Sequence, residues 1–419
     1  MSREMVNSGI PWIGEIPKNW KIVRNKDVFS NSKTLVGENW NNTQLLSLTT
    51  KGIKPVAIGS TSGKVPDSYE TYQVVEKDNI VMCLFDLDCS AVFSGLSPIH
   101  GMISPAYKTL TVKNGFLPDF YAKWFDYIFD GRKFMFLSKN IRYSLTYDEF
   151  ASLQVVAPSI EEQQKIASFL DRKCAEIDEM IALQEKIVEE LKAYKQSVIT
   201  EAVTKGLNPD VPMKDSGIEW IGEVPEHWTT IRIKYLLGER KERSVHGEEE
   251  PLSMSQKYGL IPTKEMDVIP NMASSFEGAK IVYVNDLVFN KLKAHLGVFS
   301  TSTHFGLVSP DYAVYYGLGR ALMPFMEFMF KTPQYISEFR KTATGVGSGL
   351  TRLYTSDLFS MPFPLPSIDE QEEIVKFLEE KRRQIDNLIS IKLSKIDSLK
   401  EYKKSIIYEY VTGKKEVIE

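Results

Sequence analysis

Two stretches of this chain carry apolar residues three and four positions apart in an otherwise charged background. The first runs Ile166, Leu170, Cys174, Ile177, Met180, Ile181, Val188, Leu191, Tyr194, Val198, and the second Ile374, Leu378, Ile385, Leu388, Ile389, Ile396, Leu399, Tyr402, Ile406. That spacing predicts an amphipathic helix with a single apolar stripe. The two stretches are one element written twice: residues 158–204 and 366–412 align without a gap at an offset of 208, with 21 of 47 positions identical. Each opens with proline, which disfavours helix in the residue before it, and then with Ser-x-x-Glu, Ser159 to Glu162 and Ser367 to Glu370. The Ser and Glu predict a capping box, in which both side chains satisfy free N–H groups of the first turn. At a rise of about 1.5 Å per residue each helix spans roughly 60 Å. A stripe that long requires a partner, and the other copy supplies one.

A second repeat precedes each helix. Gly9-Ile-Pro-Trp-Ile-Gly-Glu-Ile-Pro-Lys-Asn-Trp20 returns as Gly217 to Trp228 at the same offset, with eight identities in twelve. Between tract and helix both halves alternate as strands and turns. The Leu45 and Pro251 segments match, as do those opening at Asp78 and Asp286 and those opening at Gly101 and Gly306. Short helical segments are predicted over Pro118 to Phe129 and Ala321 to Phe330, with aromatics on one face. The halves diverge around 56–75, 84–100 and 263–280, so a shared frame carries different loops.

The predicted fold class is α+β: two similar mixed α/β domains separated by two long helices. The boundaries are 1–157 for the first tract and domain, 158–206 for the first helix, 207–365 for the second tract and domain, and 366–419 for the second helix. Only a short connection, Lys205 to Val224, follows the first helix. Parallel helices would need the second domain to carry the chain some 60 Å back, so the pair is expected to be antiparallel. That implies a pseudo-two-fold, near-circular arrangement, each tract docking near the C-terminus of the other half's helix. Two related modules on a spacer suit a ligand with two separated sites, and duplex DNA presents such sites at turn spacing.

Charge changes the picture by exclusion. With 51 basic and 55 acidic residues the chain has no bulk polycationic footprint, so any DNA-binding surface is local. Three cysteines, Cys83, Cys89 and Cys174, lack metal spacing and suggest a reducing, cytoplasmic setting. The first residues show no secretory pattern, and no apolar run reaches membrane-spanning length.

The tract Trp-Ile-Gly-Glu-(Ile/Val)-Pro-x-x-Trp and the duplicated helix start Pro-x-x-x-Glu-Gln-x-x-Ile, followed by Phe-Leu, resemble the specificity subunit of Type I restriction–modification systems. The resemblance covers essentially the whole chain. It implies two target-recognition domains that read the two half-sites of a bipartite DNA sequence, with no catalytic activity of their own. It also implies helices that hold two adenine-N6 methyltransferase subunits, and a further ATP-dependent restriction subunit. S-adenosylmethionine, Mg²⁺ and ATP would then belong to the partners and no cofactor to this chain. The rival readings are a single-chain DNA-modifying or DNA-cleaving enzyme and a coiled-coil adaptor.

Motifs for resident chemistry are weak. Gly59-Ser-Thr-Ser-Gly-Lys64 is one residue short of a P-loop and is followed by Val65; Gly345 to Gly349 lacks dinucleotide spacing. Glu239-Arg-Lys241, with Asp210 or Asp215, reads as a solvated face rather than a nuclease set. The five histidines lack ligand spacing, and no adenine-methyltransferase signature occurs. DNA-contact candidates are Lys51 and Lys54 after the first alternating strand, Lys257 in the matching place, Asn290, Lys291 and Lys293 after the repeated Asp-led strand, and Lys139, Arg142, Arg340, Lys341 and Arg352 on the approaches to the helices. Tyr143 and Tyr354 are candidates for stacking or for the core. Ile187, Val203, Ile391 and Ile407, read as exposed apolar positions on the helices, are the expected partner surface.

Overall fold

Ser159 and Ser367 start the long helices by accepting from the amides of Glu162 and Glu370, each at 3.3 Å. The helices run Ile160–Lys205 and Ile368–Val411 in this computed structural model, which describes residues 3–59, 68–130, 132–135, 143–256, 258–269, 275–346 and 350–418. Each ends at a left-handed glycine, Gly206 (φ +75°) and Gly413 (φ +71°), a conformation that costs a residue with a Cβ far more.

The other half of the predicted capping box is absent, because the glutamates are used elsewhere. Glu162 accepts from Trp20 Nε1 at 2.8 Å and pairs with Arg3. Glu370 accepts from Trp228 Nε1 at 3.0 Å and lies 2.9 Å from His227 Nε2. The repeated tract and the repeated helix start are therefore the two parts of one latch. Next in sequence, Gln163 and Gln371 are fully buried. Their side chains accept from the amides of Leu117 and Leu322 at 2.8 Å and donate to the carbonyls of Pro158 and Pro366. This explains why both repeats spell Glu-Gln: one residue holds the tract, the other the start of the domain's own short helix.

The chain divides into two compact units, one of Met1–Glu185 with Leu393–Glu419, the other of Lys186–Lys392. The cut passes through both long helices, not between helix and domain as the four sequence segments suggest. The reason is burial. In the first unit Ile166, Leu170 and Ile177 share a core with Ile406, Ile407 and Val411; in the second, Ala202 and Val203 share one with Ile374 and Leu378. In each unit the early half of one helix lies on the late half of the other, so the packing is antiparallel. Lys403 Nζ sits 2.7 Å from Asp178 in the first unit, and Lys195 Nζ 2.6 Å from Asp386 in the second, the same pair of positions with roles exchanged.

Within each unit the tract closes on a helix end. A Cβ on Gly413 would lie 2.5 Å from Pro17, and one on Gly206 would lie 3.7 Å from Trp228 and 3.1 Å from the Glu370 that Trp228 holds. The globular regions then repeat one topology. The first has a four-stranded antiparallel sheet in the order Phe29–Ser32, Lys108–Val112, Ile80–Met82, Ser94–Leu96, and the second has Leu237–Glu239, Tyr312–Gly317, Leu287–Asn290, Phe299–Thr301. Smaller antiparallel pairs recur in step: Gln73–Val75 with Gly101–Ile103 and Lys280–Val282 with Gly306–Val308, and the hairpins Leu46–Thr49 with Gly52–Pro55 and Leu252–Ser255 with Gly259–Pro262. Aromatic helices, Pro118–Asp130 in one region and Met323–Phe330 with Pro333–Thr342 in the other, close the cores beneath the sheets.

Two expectations about the helices need correction. Val203 and Ile407 are buried against domain and helix, so they present no surface to a partner. Conversely Met180, Tyr194, Leu388 and Tyr402, counted in the buried stripe, are exposed. Three- and four-residue spacing places residues on a helix but leaves open which of two adjacent stripes is covered. Ile187 is half-buried and Ile391 exposed.

Candidate nucleic-acid interface

The framework carries its candidate residues on strand ends and hairpins. Lys51 and Lys54 are exposed on the Leu46–Thr49/Gly52–Pro55 hairpin, whose tip is tied by Thr49 Oγ1 donating to the Gly52 carbonyl at 2.7 Å. Lys139, Arg142 and Lys257 lie outside the described residues, as do most of the Gly59 to Lys64 motif and part of the Gly345 to Gly349 segment. Lys293 is exposed at the start of the turn Ala294–Leu296. Arg340 and Lys341 are exposed in the last turn of Pro333–Thr342, where Lys341 pairs with Glu338 at 3.2 Å. Both tyrosines are solvent-facing: Tyr143 takes a φ of +46°, and Tyr354 lies under the guanidinium of Arg352, 5.9 Å from the ring centre. The Glu239-Arg-Lys241 segment is structural in part, with Arg240 held on both oxygens of buried Asp286 at 2.7 and 2.9 Å.

A cleft of about 1510 Å³ opens in the first unit, walled by the Thr49 to Gly52 turn, the strand Ser94–Leu96, the helix Pro118–Asp130 and both long helices. Six cations line it, Lys51, Lys123, Arg132, Lys133, Lys403 and Lys404, and three of them are paired with carboxylates. Lys123 pairs with Asp171 at 3.0 Å, Lys403 with Asp178 at 2.7 Å and Lys404 with Asp130 at 3.1 Å. Burial in this cleft pushes the Asp126 carboxyl up, against the pull of Lys123 and Lys403. With seven carboxylates beside those six cations, the cleft as a whole is not a basic groove, and Lys51 on its hairpin wall remains its exposed candidate.

The second region is different. Asn290, Lys291 and Arg352 come together, since the amide of Leu353 donates to the carbonyl of Lys291 at 3.0 Å and Asn290 pairs across the sheet with Tyr312. Sequence reading missed Lys280, whose side chain is only 8% exposed and reaches the same corner, with Nζ 2.7 Å from the Tyr312 carbonyl. Burial, then the charges of Lys291, Arg243 and Arg352, hold Lys280 below the usual lysine range, while Glu239 pulls the other way. Burial and Arg352 do the same to Lys291, against Glu239 and Asp311. The available signal was the match of this strand to Gln73–Val75, hidden because the offset between halves slips from 208 to 207 there.

Surface chemistry diverges elsewhere on the same frame. Where the first region sets His100 2.8 Å from Glu76, the second packs Phe305 against Tyr283 at a tilt of 60°, ring centres 5.3 Å apart. Two surfaces so unlike on one framework are built for unlike contacts.

Comparison with known proteins agrees with this architecture. The family described as Type I restriction modification DNA specificity domain matches residues 17–193. The Type I restriction enzyme MjaVIII specificity subunit of Methanocaldococcus jannaschii is 21% identical over 378 residues, 82% of this chain and 80% of that protein. The putative MjaX specificity subunit of the same organism is 26% identical over 280 residues, 65% of this chain and 61% of that one. A chain solved in work on complex assembly and conformational transition of the type I R-M system shares the fold, with a TM-score of 0.70 at 12% identity, covering 95% of this chain and 99% of that chain. The HsdS subunit from Thermoanaerobacter tengcongensis does so with a TM-score of 0.53 at 14% identity, covering 95% and 98%. Residues 17–193 thus match the type I restriction–modification DNA specificity domain, and over most of its length the chain is similar to type I specificity subunits and shares the fold of solved ones.

Proposed function

We propose that this chain is the DNA sequence-recognition subunit of a type I restriction–modification complex. Residues 21–157 and 229–365 each read one half-site of a bipartite target. The observation that carries this reading is the pairing of one framework with two unlike surfaces: the same sheet order, the same tryptophan–glutamate bond in each latch, and different side chains at equivalent strand ends. Direct readout of bases needs such differences, while positioning needs only the frame. The long helices set the separation of the half-sites and dock two methyltransferase subunits. Support for docking is an exposed apolar set that occurs in both helices at the offset of 208: Met180 and Leu388, Leu183 and Ile391, Tyr194 and Tyr402. Apolar side chains repeated on an otherwise charged helix suit a helical partner that meets both copies alike. Catalysis, with S-adenosylmethionine, Mg²⁺ and ATP, resides on the methyltransferase and restriction subunits, and the complex works in the cytoplasm.

Selection from random duplexes, with the methyltransferase subunit present, tests the reading. A bipartite consensus is the expected result. No enrichment would point to a protein-binding adaptor, and turnover of DNA by the lone chain with S-adenosylmethionine or Mg²⁺ would make it an enzyme. For docking, Leu183→Glu with Ile391→Glu should abolish co-purification of the methyltransferase while leaving the circular-dichroism melt of the chain unchanged.

A further inference from the structure

Three cations of the second globular region stand at framework positions that are neutral in the first. Lys280 Nζ donates to the Tyr312 carbonyl at 2.7 Å, and Gln73 Nε2 makes the same bond to the Tyr107 carbonyl at 2.8 Å. Strand register confirms the equivalence, Gln73 lying opposite Ile103 and Lys280 opposite Val308 in matching pairs. A neutral amide suffices for that carbonyl, so the charge at Lys280 is not there to satisfy it. The other two positions follow from the backbone. The Leu145 amide donates to Leu84 at 2.8 Å where the Leu353 amide donates to Lys291 at 3.0 Å, which pairs Leu84 with Lys291 and Ser144 with Arg352. Leu84 is a buried apolar side chain; Lys291 is a half-buried cation.

Counter-charge at this corner is short. The carboxylate of Glu239 is 3.8 Å from Lys280. Among the described residues Arg352 reaches the outlying, 77% exposed Asp311, at 3.5 Å, and its Nε is buried with no hydrogen-bond partner. Arg243 adds a further positive charge facing Lys280. Partly desolvated cations without enough counter-charge are unfavourable alone, and an arriving anion relieves the repulsion. A guanidinium fork with two ammonium groups suits the tetrahedral oxygens of a phosphodiester.

We propose that Lys280, Lys291 and Arg352 form a clamp for one backbone phosphate of DNA, carried by the second globular region and without counterpart in the first. The clamp rests on the DNA-recognition reading and assigns the second half-site an electrostatic anchor that the first must replace with other contacts. Its test uses the full chain with its methyltransferase subunits, the duplex selected above and a KCl titration. The substitutions are those that the first region already accommodates: Lys280→Gln, Lys291→Leu and Arg352→Ser, singly and together.

The triple variant is expected to bind roughly tenfold more weakly, with every half-site sequence weakened alike and the slope of log K against log [KCl] reduced by about 0.9 for the lost phosphate. Lys280→Gln alone, the smallest change, should move the slope in the same direction and serves if the triple variant loses its thermal transition. A wild-type complex that binds its target while the variants keep its affinity and slope overturns the clamp alone. A changed half-site preference also overturns it, making these residues base readers. A wild-type complex that binds no duplex removes the recognition reading, and the clamp with it.

Discussion

Trp20 and Trp228 show how a single polar atom can explain a repeated residue. Each indole is buried, and each places Nε1 within 3.0 Å of a glutamate at the start of a long helix. Phenylalanine would keep most of the packing and lose the charge-assisted bond, so Trp228→Phe should destabilise the chain by about 1.5–3 kcal/mol, read as a lower urea midpoint. The lysines of the cation corner give a pH prediction. Lys280 and Lys291 are held below the usual range by burial and by neighbouring charge. As pH rises through their lowered folded values toward the unfolded value of about 10.4, the unfolded chain binds more protons and stability rises. Wild-type protein should therefore gain on Lys280→Gln between neutral pH and that limit, by urea midpoints at a series of pH values; a constant difference would refute the assignment. The tryptophans were legible in the sequence as anchors against helix ends. Lys280 was not, because a lysine in a strand looks like any solvated charge until a cross-strand carbonyl and neighbouring cations are seen around it.

At the scale of elements, the register of the long helices is set by duplicated contacts. Lys403 with Asp178 and Lys195 with Asp386 pair the same helical positions in each unit. Four extra residues, about one turn, in one helix alone would shift the partner halves against each other and expose core side chains. The same insertion at matching places in both helices should leave the urea midpoint close to wild type and lengthen the gap in the methylated sequence, with both half-sites unchanged. The apolar period made these helices and their pairing legible. It misassigned Met180, Tyr194, Leu388 and Tyr402 to the covered stripe, and Val203 and Ile407 to the open face, because period alone does not reveal where a domain rests on a helix. The glutamate of the expected capping box was likewise drawn away by a tryptophan that is 142 positions distant.

For the molecule as a whole, the two regions should be separable in function. Exchanging residues 40–145 for those of another family member is expected to change one half-site of the methylated target and leave the other, as methylome sequencing would show; movement of both would refute independent readers. What the sequence determined by itself was the repetition: two tracts, two helices and a shared strand pattern, all visible because identical local physics requires similar residues at a constant offset. Antiparallel pairing followed from chain connectivity, since the link after the first helix is too short for the alternative. Tertiary structure decided which halves of the helices join which domain, what the repeated glutamates and glutamines hold, and which charges lack partners. Those outcomes depend on groups that are distant in sequence and close in space, and burial and counter-charge exist only once the chain has folded.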